Sequence, residues 1–259
     1  MESKKPLILV TNDDGITAKG LNLLVKTALK FGEVVVVAPN SPQSAKGHAI
    51  TVAHTLRLER EYIWGEEVLA YSCSGTPVDC VKLSKHHVLN GRKPDLLLSG
   101  INHGSNSSVS VLYSGTMSAA IEGAIEGIPS IGFSLCDYTP NAYFEHTLPF
   151  VENIIQQSLT IGFEKNIALN VNFPPHKAEP IKGIKICRQA KARWEERFDE
   201  RIDPFGKKYY WMTGFFLNED KGEDTDEWAL SHNYVSIVPC QFDLTAHHII
   251  SRLNSEWSF

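Results

Sequence analysis

Two rhythms of apolar and polar positions alternate through the first part of the chain. Leu7-Ile8-Leu9-Val10 is a short unbroken apolar run that stops at Thr11-Asn12-Asp13-Asp14-Gly15. That is the pattern of a strand buried on both faces and running out into a polar loop. Leu21, Leu24, Val25, Ala28 and Leu29 then follow the spacing of an amphipathic helix, with Gly32 where a C-cap is expected. Val34-Val35-Val36-Val37 is a second buried strand, stopped by Pro39. Strand, helix and strand in this length predict a βαβ unit, and such units build parallel sheets.

The theme recurs. Asp95-Leu96-Leu97-Leu98 predicts a strand entering a Gly/Ser/Asn loop, followed by a helix from about Thr116 to Glu126 and a strand from Ser130 to Phe133. Phe144, Leu148, Val151 and Ile155 mark a further helix, and Ile167 to Val171 a further strand. Ile50 to Leu58 alternates like an edge or antiparallel strand. Thr76-Pro77 reads as an N-cap with proline in the first turn, opening a helix towards Val88. The rhythm changes near Pro174-Pro175. Beyond it the chain is rich in aromatic and charged residues, and Lys207 to Phe216 has strand character. The expected organisation is an α/β catalytic core over 1–180 and a β-rich C-terminal extension over 181–259, with a hairpin and a terminal helix near Thr245 to Leu253. The acidic run Glu219, Asp220, Glu223, Asp224, Asp226, Glu227 lacks the spacing of a calcium loop and reads as a solvated loop.

Composition narrows the function. A net charge of −5 over 259 residues offers no basic surplus for coating a nucleic-acid polymer. No stretch approaches the roughly 20 apolar residues that span a bilayer, and the apolar run after Pro6 is too short for a signal-peptide core. The five cysteines are odd in number, scattered and never spaced as Cys-x-x-Cys, so reduced thiols in the cytoplasm are expected.

In an open parallel sheet ligands bind beyond the C-terminal ends of the strands. Three polar loops fall there: Asn12 to Gly15, Asn40 to Gly47, and Ser99 to Ser107. A fourth polar turn, Ser114-Gly115-Thr116, opens a helix. Paired aspartates at a strand end suit a hard divalent cation, although either could instead cap the following helix. Amides at a helix start, with hydroxyls beside them, form a phosphate cradle. Asn12 and Asn106 could also fix their loops by Asx-type hydrogen bonds, and His48 and His103 read as structural. A dinucleotide-binding enzyme would need Gly-x-Gly-x-x-Gly after the first strand, and a P-loop enzyme Gly-x-x-x-x-Gly-Lys-Ser/Thr; neither is present.

Several segments together resemble the SurE (stationary-phase survival protein) family. They are Ile8 to Ile16, Val37-Ala38-Pro39 with Ser44 to His48, Gly75 to Val81, Ser99 to Gly104, and Tyr113 to Thr116. Arg193-Trp194, Asp203 to Gly206 and Tyr209 to Trp211 follow in the same order. The resemblance implies a three-layer α/β/α fold with a mainly parallel, Rossmann-like sheet. It implies a phosphatase for nucleoside 5′- and 3′-monophosphates, with short polyphosphate as a further substrate and broad tolerance of the base. One divalent cation per subunit, Mg²⁺ or Mn²⁺, would be held by Asp13, Asp14, Ser44 and Asn102. Asp13 and Asp14 would be catalytic; Asn12, Ser44, Asn102, Ser114, Gly115 and Thr116 would bind substrate or phosphate. Attack by water is expected, because Asn12 stands where a phospho-enzyme mechanism would need an aspartate. A homodimer or homotetramer held by the extension is implied as well. The family pattern leads one to expect a glycine and an aspartate where Ser108 and Ser110 stand. The alternative is a catalytically weak nucleotide-binding protein of the same fold.

Overall fold

In the computed structural model, which describes residues 5–258, every unbroken apolar run named above lies inside a sheet. The chain order is β1 (Leu7–Thr11), α1 (Lys19–Ala28), β2 (Glu33–Pro39), β3 (Leu58–Glu61), β4 (Leu69–Cys73), α2 (Pro77–Leu83), β5 (Leu96–His103) and α3 (Gly115–Ile125). It continues with β6 (Ser130–Leu135), α4 (Leu148–Thr160), β7 (Ile167–Phe173), β8 (Ile184–Ile186), β9 (Ala192–Ile202), β10 (Lys208–Asn218), α5 (Asp226–Ser231), β11 (Val235–Gln241) and α6 (His247–Glu256). Nine strands form one sheet in the order β3-β4-β2-β1-β5-β6-β7-β11-β8. The stretch from β4 to β7 is wholly parallel, and antiparallel pairings occur only at β3–β4 and β7–β11.

Period-two alternation divides the apolar runs between two cores. Ile8, Val10, Val34, Val36, Leu96 and Leu98 pack with α1 and α4 residues such as Leu21, Leu24 and Val151. Leu7, Leu9, Val35, Val37 and Leu97 point the other way, onto Cys80 and Val81 of α2 and Ala119 of α3. The result is a three-layer α/β/α sandwich. Its strand order reverses between β1 and β5, so the crevice of a doubly wound sheet opens above those two strands.

Past Pro174-Pro175 the chain returns to this sheet through β8 and β11. Between them β9 and β10 form a separate antiparallel hairpin, paired from Ala192–Asn218 to Ile202–Lys208. The helix opening at Thr76 has the expected N-cap and first-turn proline, and Asp79 completes a capping box that the sequence reading did not name.

Two local expectations fail for identifiable reasons. Gly32 does not cap α1; Leu29 does, with its amide bonded to Val25 O at 3.0 Å. Gly32 serves a close approach, since a Cβ there would lie 2.2 Å from Pro6 O. The alternation from Ile50 to Leu58 does not form a strand either: pairing begins at Leu58, and Ile50 and Val52 stay exposed. A period-two pattern without a neighbouring edge to pair with does not make a ladder.

Gly20 fixes how α1 rides over β5, because a Cβ would sit 1.9 Å from Ile101 O. Gly20→Ala is therefore expected to lower stability by about 1–3 kcal/mol through overpacking. Urea unfolding followed by circular dichroism checks this, and an unchanged midpoint would contradict the close contact.

Candidate active site

The loop after β1 places Asn12, Asp13 and Asp14 in the crevice. Asn12 Nδ2 donates to Gly15 O at 2.9 Å, which curls the loop, while its Oδ1 is buried with no hydrogen-bond partner. Asp13 is almost wholly buried. Its Oδ1 accepts the Thr116 hydroxyl at 2.5 Å, and a Cβ on Gly115 would lie 2.6 Å from the Asp13 Cβ. The start of α3 thus closes on Asp13 only because residue 115 is glycine. Burial pushes the Asp13 carboxyl up to about 6; the Thr116 hydroxyl opposes the rise and the Asp14 charge adds to it. Burial also raises Asp14, against the backbone N–H of His103, which donates to Asp14 Oδ2 at 3.1 Å. Neither aspartate has an ion pair among the described residues.

The other predicted residues converge from three sides. Asn102 sits near the end of β5, where register shifts between Ser99 and Asn102. Its Nδ2 donates to Gly104 O at 2.8 Å, which leaves the side-chain oxygen as the free acceptor. Ser44 is exposed on the loop after β2. That loop is tied to the site by the Gln43 amide, which donates to Asp13 O at 2.7 Å, and by Gly47 N to Tyr113 O at 3.2 Å. At α3 the Ser114 hydroxyl accepts from Met117 N at 3.0 Å, so it is an N-cap. Both hydroxyls of the Ser114-Gly115-Thr116 turn are therefore engaged. What the turn leaves open is the backbone amides of Gly115 and Thr116, which no intrahelical carbonyl reaches.

His48 is structural, as its sequence position suggests, but sequence reasoning missed its partner Glu122 and the Lys82 beside it. His48 Nε2 lies 2.9 Å from Glu122 Oε2, and Lys82 Nζ bonds the other carboxylate oxygen. Burial would raise Glu122, but these two partners outweigh it and hold its carboxyl below the usual range. This clasp anchors the Ser44 loop to α3. The signal was a lone glutamate among the alanines and glycines of α3. Asn106, an expected loop-fixing residue, does hold its loop: its side-chain amide donates to Ser134 Oγ at 2.7 Å and its backbone amide to Asn172 Oδ1 at 2.9 Å. The acidic run is not wholly solvated. Asp226 is fully buried and accepts from Ser108 N at 2.7 Å, Ala190 N at 2.9 Å and Glu227 N at 2.9 Å. Ser108 takes a positive φ of 52°, the conformation that favours glycine there, and its hydroxyl donates to Ala190 O. Ser110 Oγ accepts the Trp194 indole N–H at 3.4 Å.

The family model for "Survival protein SurE" matches residues 8–196. The 5′-nucleotidase SurE of Cytophaga hutchinsonii is 64% identical over 255 residues, covering 98% of each chain. That of Flavobacterium psychrophilum is 61% identical over 251 residues, covering 97% of each. The crystal structure of the SurE protein from Aquifex aeolicus superposes with a TM-score of 0.83 at 39% identity, covering 96% of this chain and 99% of that one. A doubly wound α/β domain with an acidic crevice at its switch point defines the class. Within it, the chain belongs to the SurE family.

The Asp13 titration gives a test in metal-free protein. An acid whose folded pKa lies above its unfolded value costs stability once it must ionise. The cost is absent below about pH 4, grows as pH rises towards 6 and is constant above. Asp13→Asn, which keeps an acceptor for Thr116, is expected to stabilise the EDTA-treated protein at pH 7.5 by on the order of 3 kcal/mol and to leave stability near pH 4 unchanged. Thermal unfolding at both pH values checks it; an equal effect at the two would exclude a burial penalty at Asp13.

Proposed function

We propose that this chain is a divalent-metal-dependent nucleotidase that hydrolyses nucleoside monophosphates, with both 5′- and 3′-esters as substrates and short polyphosphate as a further one. The observation that carries this reading is the ion-pair-free carboxylate pair of buried Asp13 and half-buried Asp14, with Asp13 packed against the start of α3. Two carboxylates alone would repel a phosphate; with a doubly charged cation between them they would bind one. The relatives named 5′-nucleotidase SurE, similar over nearly the whole chain, support the substrate class.

The donor set fits a hard cation. Asp13 and Asp14 supply charge, and Asn102 and Ser44 supply neutral oxygens. When bound, Mg²⁺ or Mn²⁺ would offset phosphate charge and polarise the phosphoryl group. The α3 amides hold the phosphate oxygens and orient the ester for in-line attack. Asp13 is assigned as the acceptor of the proton from the attacking water, as the carboxylate on which the start of α3 closes. Asn12 is excluded as an aspartyl nucleophile by its chemistry. Free thiols at all five cysteines and the lack of a membrane-length apolar helix among the described residues support action in the cytoplasm.

Assembly is the second part of the reading: a homodimer or homotetramer held through the 181–259 extension. Helix α6 has no buried residue, and a ten-residue helix is not stable in water without packing. The hairpin exposes Phe198, Phe205, Trp211 and Met212.

Asp14→Asn is expected to lower phosphate release from nucleoside monophosphates by at least about a hundredfold, and EDTA to abolish wild-type activity until Mg²⁺ or Mn²⁺ is restored. Full activity in either case would defeat the metal assignment. Light scattering on gel-filtered protein is expected to give more than one chain per particle, and deletion from Ala246 onward to shift it towards one. An active wild-type monomer would defeat the assembly.

A further inference from the structure

The crevice does not end at Asn102. On the other side of Gly104 lies a second, open cavity of about 250 Å³. Gly104 immediately precedes Ser105, the first of its lining residues. Its carbonyl orients the Asn102 amide, and a Cβ on it would lie 2.7 Å from the Tyr138 ring. Tyr138 is fixed there by its hydroxyl, which accepts the Ser105 amide at 3.1 Å. Opposite stand Trp194 and Phe216, facing partners across the β9–β10 hairpin, with ring centroids 5.5 Å apart at 66°. The Trp194 indole bonds Ser110, so the hairpin is moored to the loop that leads from Asn102 to α3.

The polar lining is as specific as the aromatic one. Glu227 reaches the cavity from α5, and its Oε1 accepts the Ser107 hydroxyl at 2.5 Å. Ser107 in turn shares a hydrogen bond of 2.6 Å with Ser105. Glu227 Oε2 takes no hydrogen bond from the described residues. A cavity lined by Tyr138, Trp194 and Phe216, with one free carboxylate oxygen of Glu227, offers aromatic surface and an acceptor to a flat ligand that carries N–H donors on an edge. The loop that lines this cavity through Ser105, Ser107 and Ser110 runs from Asn102 to the start of α3, where the phosphate moiety of a nucleotide would sit.

We propose that this cavity is the base subsite: a purine stacks against Tyr138 and Trp194 while Glu227 Oε2 accepts an N–H from its edge. The assignment rests on the nucleotidase reading above and adds a preference to it. Guanine, with adjacent ring and exocyclic N–H groups, is favoured over uracil, which has a smaller face and one such donor. Trp194, Phe216 and Glu227 all come from the extension, so the part of the chain outside the first seven strands contributes to substrate choice.

The test measures kcat/KM for GMP, UMP and the base-free ester ribose 5-phosphate in wild type, Trp194→Ala and Glu227→Gln. Wild type is expected to prefer GMP to UMP. Trp194→Ala is expected to lower the ratio of GMP to ribose 5-phosphate by on the order of tenfold, the range found for loss of a base-stacking ring. Glu227→Gln is expected to lower the GMP to UMP ratio, with the change in KM rather than kcat. Variants that lose GMP and ribose 5-phosphate activity in proportion, or that keep both ratios at the wild-type values, would overturn the base subsite while leaving the phosphatase intact. Absence of phosphate release from all three esters in wild type would instead overturn the nucleotidase reading. Ribose 5-phosphate turnover in each variant also reports that it is folded.

Discussion

The architecture of the crevice depends on one tight contact, the packing of the first turn of α3 against the side chain of Asp13. It needs a residue without a Cβ at position 115 and a hydroxyl at position 116. With both in place, the helix start and the end of β1 are locked together across the switch point of the sheet. The open amides of α3 then lie beside a carboxylate deprived of water. Any side chain at 115 would force helix and strand apart, and with them the anion-binding amides from the acidic pair. Burial of Asp13 and the cradle at α3 are thus two consequences of one fit.

Buried acids elsewhere in the molecule show what is different about this pair. Asp79 is buried, but it accepts from Thr51 N and Thr76 N and serves a capping box. Glu122 is buried between His48 and Lys82. Asp226 is buried with three backbone donors. Each is an anchor whose charge is met by the protein and whose work is to hold a loop. Asp13 has one hydroxyl donor and Asp14 one amide, with no ion-paired cation for either. Of these buried acids, Asp13 is the one whose charge the fold meets least. The anchors and the site are made of the same residue type, and the donor count separates them.

The parallel core was legible because apolar runs of four or more residues have few alternatives: they must be covered on both faces, and helices of the right spacing lie between them. The acidic loop and the α3 turn were legible because polar residues at strand ends and helix starts face the crevice by topology. What sequence left dark depends on long-range pairing. Nothing local says that Glu122 meets His48, that Asp226 reaches across to Ser108, or that a run from Ile50 has no edge to pair with. Gly32 illustrates the same limit: local logic offers a cap, and the constraint comes from Pro6, far along the chain. Ser108 and Ser110 departed from the expected pattern, yet each hydroxyl has a hydrogen-bonding role in the mooring of the extension.

That mooring bears on how the extension relates to the site. Strands β8 and β11 complete the sheet beyond β7, so the chain after the Pro174-Pro175 break is not an independent unit laid on a finished core. Asp226, at the start of α5, draws together the Ser108 amide from the crevice loop and the Ala190 amide just before the hairpin. A single buried carboxylate therefore ties the crevice loop, the hairpin base and α5 into one corner. Burial raises this carboxyl, and its backbone donors oppose the rise. Loss of any one donor would leave a desolvated charge with fewer partners, at a cost in stability. An apolar residue in place of Asp226 would leave three buried amides unmet, whereas the carboxylate satisfies them at the cost of its own desolvation. The polarity of this corner is thus a structural requirement of bringing three backbone segments together away from water.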